Sequence, residues 1–291
     1  MKAKDQITFA IAYDFDGTLS ADNMQEYDFI PKLGYTPDEF WSEAQKIEKS
    51  QASDPILAYM LLMLEKAKEK NLKITREAFA KSGKKITFFK GIDSWFERIT
   101  QYGKELNINV EHYIISSGLQ EIINGSSIAS KFKKIFASSF MYDDKGNACW
   151  PSVCINYTTK TQYLFRINKG TLDLSDHYLI NEYIRDEERH VPFSRMLFIG
   201  DGSTDIPSFR LMKAQGGHAI AVYNKSEGEK AKERVQKIAC NGHRVSLIFD
   251  TDYSEGSAIE NAVKSILQKA AAEYNLFKLE EETRKEFEIK D

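Results

Sequence analysis

Cysteine is scarce in this chain: Cys149, Cys154 and Cys240 are the only three in 291 residues. They are too few and too scattered for a disulfide framework. No two form a CxxC pair, and the five histidines show no HExxH or related spacing, which argues against a zinc site of either kind. Long apolar runs are also missing. The stretch ILAYMLLML, from Ile56 to Leu64, is far shorter than the roughly 20 residues that span a bilayer. The opening MKAKDQITFAIAY places lysines before an apolar run as a signal peptide does. That run is short, is cut off by Asp14 and Asp16 and lacks a small-residue cleavage site, so a buried strand is expected instead. There is no excess of positive charge: the formal net charge is −3, which gives no electrostatic case for nucleic acid or an anionic membrane as the main partner. The basic runs Lys81–Lys85 and Lys131–Lys134 are short and read as solvated faces. Internal repeats and low-complexity tracts are absent. Together these absences lead us to expect a soluble protein in a reducing, cytoplasmic compartment, with neither a nucleic-acid nor a membrane partner; they leave the oligomeric state open.

What the chain does have is an ordinary globular composition, 42% apolar and 29% charged, and enough length for a sizeable core. Ile7 to Asp16 reads as a strand buried on both faces and closed by a Gly-Thr turn. From Ala21 to about Phe88 the pattern is helical. TPDEF offers Thr36 as N-cap with Pro37 and a capping-box Glu39, a further helix opens at Ser53 or Asp54 before Pro55, and another starts from Thr75 and stops near Gly83. Strand signals resume at EHYIISSG (Glu111 to Gly118), followed by a hairpin turning at Asp144–Asn147. Helices are expected near Thr159 and from about Ser175 to Glu188, strands at Arg195–Gly202, His218–Asn224 and Arg244–Asp250, a turn at Cys240–His243, and an amphipathic helix from Ser257 onward. Strands alternating with helices predict an α/β fold with a doubly wound, Rossmann-like parallel sheet. On this reading residues 1–20 and 89–291 form the core, and 21–88 form an inserted helical module.

Three strand ends carry chemistry. Asp14 and Asp16 are two residues apart, so on a strand both would point the same way, and their repulsion is unfavourable unless a cation or proton offsets it. A simple turn would also use Asp16 and Gly17. A second apolar strand, MLFIGDGSTD, ends in Asp201 and Asp205, the latter also a possible helix cap. Oxygen-bearing acids with no Cys or His beside them describe a site for a hard cation, Mg²⁺ rather than zinc. Between the two lies YIISSG, where Ser116, Ser117 and Gly118 offer small hydroxyls and free N–H groups suited to phosphate oxygens. Lys160 lies close to a helix start, where the helix dipole disfavours a cation unless an anion is near.

In order, DFDGT, IISSG, the lysine of TTKTQYLF and GDGSTD resemble the four motifs of the haloacid dehalogenase superfamily of phosphotransferases, spanning Asp14 to Asp205. The helical insertion after the first motif resembles the cap domain of its phosphoserine-phosphatase-like branch. The resemblance implies a Mg²⁺-dependent phosphatase acting on a small phosphate monoester, with Asp14 as nucleophile forming an aspartyl-phosphate and Asp16 as general acid and then base. It implies Ser116 and Lys160 as phosphoryl partners, with Thr18, Ser117 and Gly118 beside the phosphate. It also implies Asp14, Asp201, Asp205 and the backbone carbonyl of Asp16 around the metal. Lys169 competes with Lys160 for the third motif; Lys160 is preferred because Thr-Lys-Thr begins an apolar helix. A mutase or another phosphotransferase of the superfamily is the alternative activity, and a non-catalytic phosphate-binding module is the alternative outside enzymes.

Phosphoserine itself is not the expected substrate. Where that enzyme typically carries a cap glutamate, this chain has Asn23, with Glu26 the nearest acid, and its cap helices have no arginine before Arg76 to receive a carboxylate. Asn23, Glu26 and Tyr27, with Phe140, Tyr142 and Trp150 from the hairpin, are the candidates for lining the substrate pocket.

Overall fold

The computed structural model describes residues 6–240 and 244–287. Residues 241–243 of the expected turn, and the outermost parts of the expected core at 1–5 and 288–291, lie outside the described residues. Strand β1 (Ile7–Tyr13) is central, parallel to β2 (Ile108–Leu119) on one side and to β5 (Met196–Gly200) on the other. The sheet continues outward through β3 (Lys134–Tyr142) and β4 (Ala148–Val153) at one edge and β6 (His218–Tyr223) and β7 (Leu247–Asp250) at the other, giving the order β4-β3-β2-β1-β5-β6-β7. Only β4 runs antiparallel to its neighbour, as the second strand of the expected hairpin.

The apolar run of β1 is buried on both faces because its two sets of side chains meet two different layers. Phe9, Ile11 and Tyr13 pack with Trp95 and Phe96 of α5 (Ile92–Glu105) and with Val263 and Leu267 of α10 (Ala258–Glu286). Ala10 and Ala12 pack with Leu164 of α7 (Thr159–Lys169), Phe209 of α8 (Ile206–Ala214) and Val235 of α9 (Glu229–Cys240). This is the doubly wound α/β arrangement, in which ligands collect beyond the carboxyl ends of the strands.

Between β1 and α5 come four helices: α1 (Phe29–Leu33), α2 (Pro37–Gln51), α3 (Pro55–Glu69) and α4 (Arg76–Gly83). Their starts follow the expected chemistry. Thr36 and Glu39 form a reciprocal capping box, Asp54 accepts from the N–H groups of Ile56 and Leu57, and Thr75 accepts from that of Ala78. The group is fastened to the sheet at several points. Asn156 donates to Asp54 at 2.8 Å, and the Tyr59 hydroxyl donates to the Ser117 carbonyl at 2.8 Å. Helix α4 lies against α6 (Gln120–Asn124) with no side chain between: a Cβ on Gly83 would stand 2.0 Å from the Ile122 carbonyl oxygen, and one on Gly125 would stand 1.9 Å from that of Ala80.

Two expectations are corrected. Strand β1 ends at Tyr13 rather than Asp16, because the Phe15 carbonyl accepts from Leu19 N–H at 2.8 Å and Gly17 takes a left-handed φ of 76°. The helix expected over Ser175–Glu188 is replaced by turns and a short 3₁₀ segment at Asp186–Glu188. There Asp173 and Asp176 bond the N–H groups of Ser175 and Leu179, while Arg166 and Lys169 take up carbonyls along the segment, so local side-chain bonds displace the helical ladder. Two helices, α5 and α9, are additional to those expected from the sequence. Among the described residues no helix is long and apolar enough to cross a membrane.

Candidate active site

The register of the three central strands sets the site. Tyr13 lies opposite Ile114 of β2 and Ile199 of β5, so Asp14, Ser116 and Asp201 leave the sheet at one edge. The Asp14 N–H donates to the Ile199 carbonyl at 2.9 Å, extending the ladder by one bond before the chain turns. That turn brings Gly17 so close to Asp201 that a Cβ there would stand 2.4 Å from Asp201 Oδ2, so glycine serves both the backbone angle and the approach.

Lys160, in the first turn of α7, is fully buried between two carboxylates: its Nζ lies 2.8 Å from Asp14 Oδ2 and 2.7 Å from Asp205 Oδ1. The other oxygen of Asp205 accepts from the backbone N–H groups of Asp201 and Gly202, both at 3.1 Å, and Asp14 Oδ1 accepts from Phe15 N–H at 2.8 Å. Asp16 Oδ1 accepts from Met24 N–H at 2.8 Å, which ties the start of the helical segment to the acid pair. Ser116 accepts from Gly118 N–H at 2.9 Å. Lys169 lies at the far end of the same helix, where its ammonium donates to the carbonyls of Ile180 and Glu182. Of the two lysines, only Lys160 reaches the acids.

Four carboxylates therefore face one lysine, and the proton affinities of Asp14, Asp16 and Asp201 reflect the imbalance. Burial first, then the charge of Asp205, pushes Asp14 up to about 6 even though Lys160 opposes the shift. Burial and Asp14 raise Asp16 well above the usual carboxylate range, with Glu26 adding to the effect. Burial, Asp205 and Asp14 do the same to Asp201, whose nearest hydroxyl partner is Thr18 at 3.5 Å. Burial alone would lower the pKa of Lys160, but Asp14 and Asp205 outweigh it and hold the ammonium charged. Carboxylate oxygens of Asp14, Asp201 and Asp205 come within 4.8 Å of one another. An oxygen-only donor set with an under-compensated Asp201 fits a hard divalent cation.

These groups open on a cavity of about 300 Å³. Asp14, Asp16, Asp201 and the Ser116–Gly118 turn line it, as do Gly202, Ser203 and Thr204. From the helical segment it takes Asn23, Gln25, Trp41, Ile56 and Tyr59. Thr18 is buried beneath, its carbonyl accepting from the Tyr253 hydroxyl at 2.8 Å. Glu26 stands behind the lining, accepting from Asn23 and from the Trp41 indole N–H.

The hairpin aromatics are elsewhere. Phe140 is buried in a stack on Phe79, the Tyr142 hydroxyl donates to Glu121 at 2.9 Å, and Trp150 is 66% exposed. Tyr27 donates to the Thr87 carbonyl at 3.2 Å and is likewise absent from the lining. Gln25, Trp41, Ile56 and Tyr59 were not anticipated. On an amphipathic helix a Trp or Tyr carries no mark that separates a cavity wall from core packing.

Comparison with known proteins agrees with this geometry. Residues 11–210 match the family model described as haloacid dehalogenase-like hydrolase, and the chain belongs to that family. An uncharacterized protein of Borreliella burgdorferi is 29% identical over 285 residues, with 87% of this chain and 94% of that protein covered. Among solved structures, a HAD family hydrolase from Salmonella enterica serovar Typhi superposes with a TM-score of 0.52 at 16% identity, covering 78% of this chain and 65% of that longer one. A phosphoserine phosphatase captured as a phospho-aspartyl intermediate analogue superposes with a TM-score of 0.50 at 16% identity, over 84% of this chain and 94% of that one. At such identities the structural likeness establishes the fold, which is that of the phosphoserine-phosphatase-like hydrolases.

Proposed function

We propose that the chain is a Mg²⁺-dependent phosphatase that hydrolyses a small phosphate monoester through an aspartyl-phosphate on Asp14. The observation that supports it best is the Asp14 carboxylate, buried against Lys160 yet lining the same cavity as Asp16 and Ser116. A carboxylate that attacks phosphorus must be held close to an anion, which requires cations on both partners. Lys160 provides one; a Mg²⁺ ion held by Asp14, Asp201, Asp205 and the carbonyl of Asp16 would supply the rest of the charge neutralisation.

In the first half-reaction an Asp14 oxygen bonds to phosphorus, the ester P–O bond breaks, and Asp16 gives its proton to the departing alkoxide. In the second, Asp16 takes a proton from a water that bonds to phosphorus, the Asp14–phosphorus bond breaks, and phosphate leaves with Asp14 restored. Ser116 hydrogen-bonds a phosphoryl oxygen, and Thr18 with the backbone of Ser117 and Gly118 shapes the phosphate site. The substrate is a small phosphorylated metabolite, and the setting a reducing cytoplasm in which Cys149 and Cys154 remain the free thiols seen here.

The test is phosphate release from a panel of monoesters with Mg²⁺, beside EDTA-treated protein and an Asp14→Asn variant. The expected outcome is turnover that disappears in both controls. Turnover that persists in Asp14→Asn would overturn the nucleophile, and phosphoryl transfer back to an organic acceptor with no free phosphate would make the protein a mutase.

A further inference from the structure

Where the helical segment and the Ser117 turn wall the cavity, its polar side-chain groups are mostly engaged already, with two buried oxygens as exceptions. The Tyr59 hydroxyl is engaged by the Ser117 carbonyl at 2.8 Å, the Trp41 N–H by Glu26 at 2.6 Å, and the Asn23 amide by Glu26 as well. What Trp41 and Tyr59 leave to a ligand is therefore ring surface, and the two rings meet edge to face at 5.7 Å. The exceptions are the side-chain oxygen of Gln25 and the hydroxyl of Ser117, both buried and both without a hydrogen-bond partner. Gln25 is only 2% exposed, and an amide oxygen buried so deeply without a partner is costly unless something fills the role. Both residues line the cavity beside the acids.

The charges are equally one-sided. Among the described residues no Lys, Arg or His lines the cavity, and Lys160 beneath it is shared by Asp14 and Asp205. Arg76, the first arginine of the helical segment, is turned away: its guanidinium lies 4.1 Å from the centre of the Tyr142 ring and 4.0 Å from Glu121. A carboxylate on the leaving group would thus meet only the neutral donors of Gln25, Ser117, Ser203 and Thr204 beside the nearby Glu26, with no cation or guanidinium fork to receive it. An ammonium would meet two unpartnered acceptors and two rings able to stabilise a cation. The volume of about 300 Å³ is at the small end for ligand pockets.

Building on the phosphatase reading, we infer that Gln25 and Ser117 select the phosphate monoester of a small amino-alcohol, one that carries an ammonium near the ester oxygen and no carboxylate. Gln25 and Ser117 accept hydrogen bonds from that ammonium, while Trp41 and Tyr59 cover its carbon chain.

The experiment compares kcat/KM with Mg²⁺ for four esters: O-phosphoethanolamine, phosphoserine (the same chain plus a carboxylate), n-propyl phosphate (the same size without the amine) and p-nitrophenyl phosphate. Phosphoethanolamine is expected to exceed both phosphoserine and propyl phosphate by about 10-fold or more, the effect of hydrogen bonds to a charged group. In Gln25→Leu the advantage of phosphoethanolamine over propyl phosphate is expected to fall by roughly 10-fold or more, as a ratio that a general loss of folded protein would not move. Hydrolysis of p-nitrophenyl phosphate together with equal turnover of the two small esters, or better turnover of phosphoserine, would overturn this inference and leave the phosphatase standing. Hydrolysis of none of the four would overturn the phosphatase reading itself.

Discussion

Replacing Lys160 by methionine removes a charge while nearly preserving volume, so its effect reads the electrostatics of the site. In the intact protein the ammonium is fully buried, 2.8 Å from Asp14 and 2.7 Å from Asp205. Removing one member of such a cluster leaves uncompensated buried charge, which typically costs about 3–5 kcal/mol. The carboxylates can escape that cost only by taking a proton, and this gives the prediction its pH signature. Asp14 already titrates at about 6 with Lys160 present, burial being the main cause. Without the lysine its folded-state pKa must rise further. Above pH 6 there is then a window in which the folded variant holds a proton that the folded wild type does not. Through that window the deficit shrinks as pH falls, by up to about 1.4 kcal/mol per pH unit; below pH 6 both forms are protonated and the deficit levels off. Urea denaturation of both proteins in EDTA, at intervals from pH 8.5 to pH 5, measures it. A deficit below about 1 kcal/mol at pH 8.5, or one that does not change between there and pH 6, would refute the ion cluster as described.

Two further perturbations follow from the packing. His112 is buried between the Tyr13 hydroxyl at 3.0 Å and Thr100 at 3.1 Å, and since the Trp95 N–H donates to Tyr13, the tyrosine proton goes to Nδ1 and His112 is neutral with its own proton on Nε2. Burial depresses its pKa to about 4, so the unfolded chain gains a proton first as pH falls below about 6.5, and stability contributed by this site is lost between there and pH 4, about 3 kcal/mol in all. A His112→Asn variant, compared by urea titration at pH 7 and 4.5, should lose that part of the pH slope; an unchanged slope would mean that His112 is charged in the fold. Gly83→Ala places a Cβ about 2.0 Å from the Ile122 carbonyl, a backbone atom that cannot step aside cheaply. Calorimetry should show a loss of about 1–3 kcal/mol and a lower Tm, whereas an unchanged Tm would mean that α4 and α6 do not meet as closely as described.

The order of the fold was readable where one stretch of chain carries the whole signal. An apolar run ending in acids, IAYDFD or LFIGDG, announces a buried parallel strand and the site at its end, and the caps at Thr36, Asp54 and Thr75 announce helices. Where no such local signal exists, the reading failed for identifiable reasons. Helix α5 starts at Ile92 after an N-cap glycine, Gly91, with φ of 88° and no capping side chain, so nothing marks its start. The segment after Asp173 has the composition of a helix, but its carbonyls go to Arg166 and Lys169 from a neighbouring element, which composition cannot foretell. The choice of Lys160 over Lys169 was legible because only a lysine at the start of a helix can face the carboxyl ends of the strands; one at the other end of α7 points back along the sheet.

The division between what was readable and what was not follows the division of labour in the site. Asp14 and Asp16 follow β1, Asp201 and Asp205 follow β5, and Ser116 lies near the end of β2; these strands are adjacent and parallel, so local patterns at three places in the sequence converge without further information. The opposite side of the cavity has no such rule. Trp41 and Tyr59 come from two different helices, and which of their side chains meet the acids depends on how the group is clamped to the core. The clamps are Gly83 against Ile122, Gly125 against Ala80, and Asp54 against Asn156, contacts between residues 39 to 102 positions apart. Asn156 also bonds the backbone and side chain of Thr159 at the start of α7, so the residue that holds Asp54 also orients the helix that delivers Lys160. The acidic half of the site is therefore written in strand ends, while the facing wall of the cavity is written in the docking of helices, and only the second needed the fold to be seen.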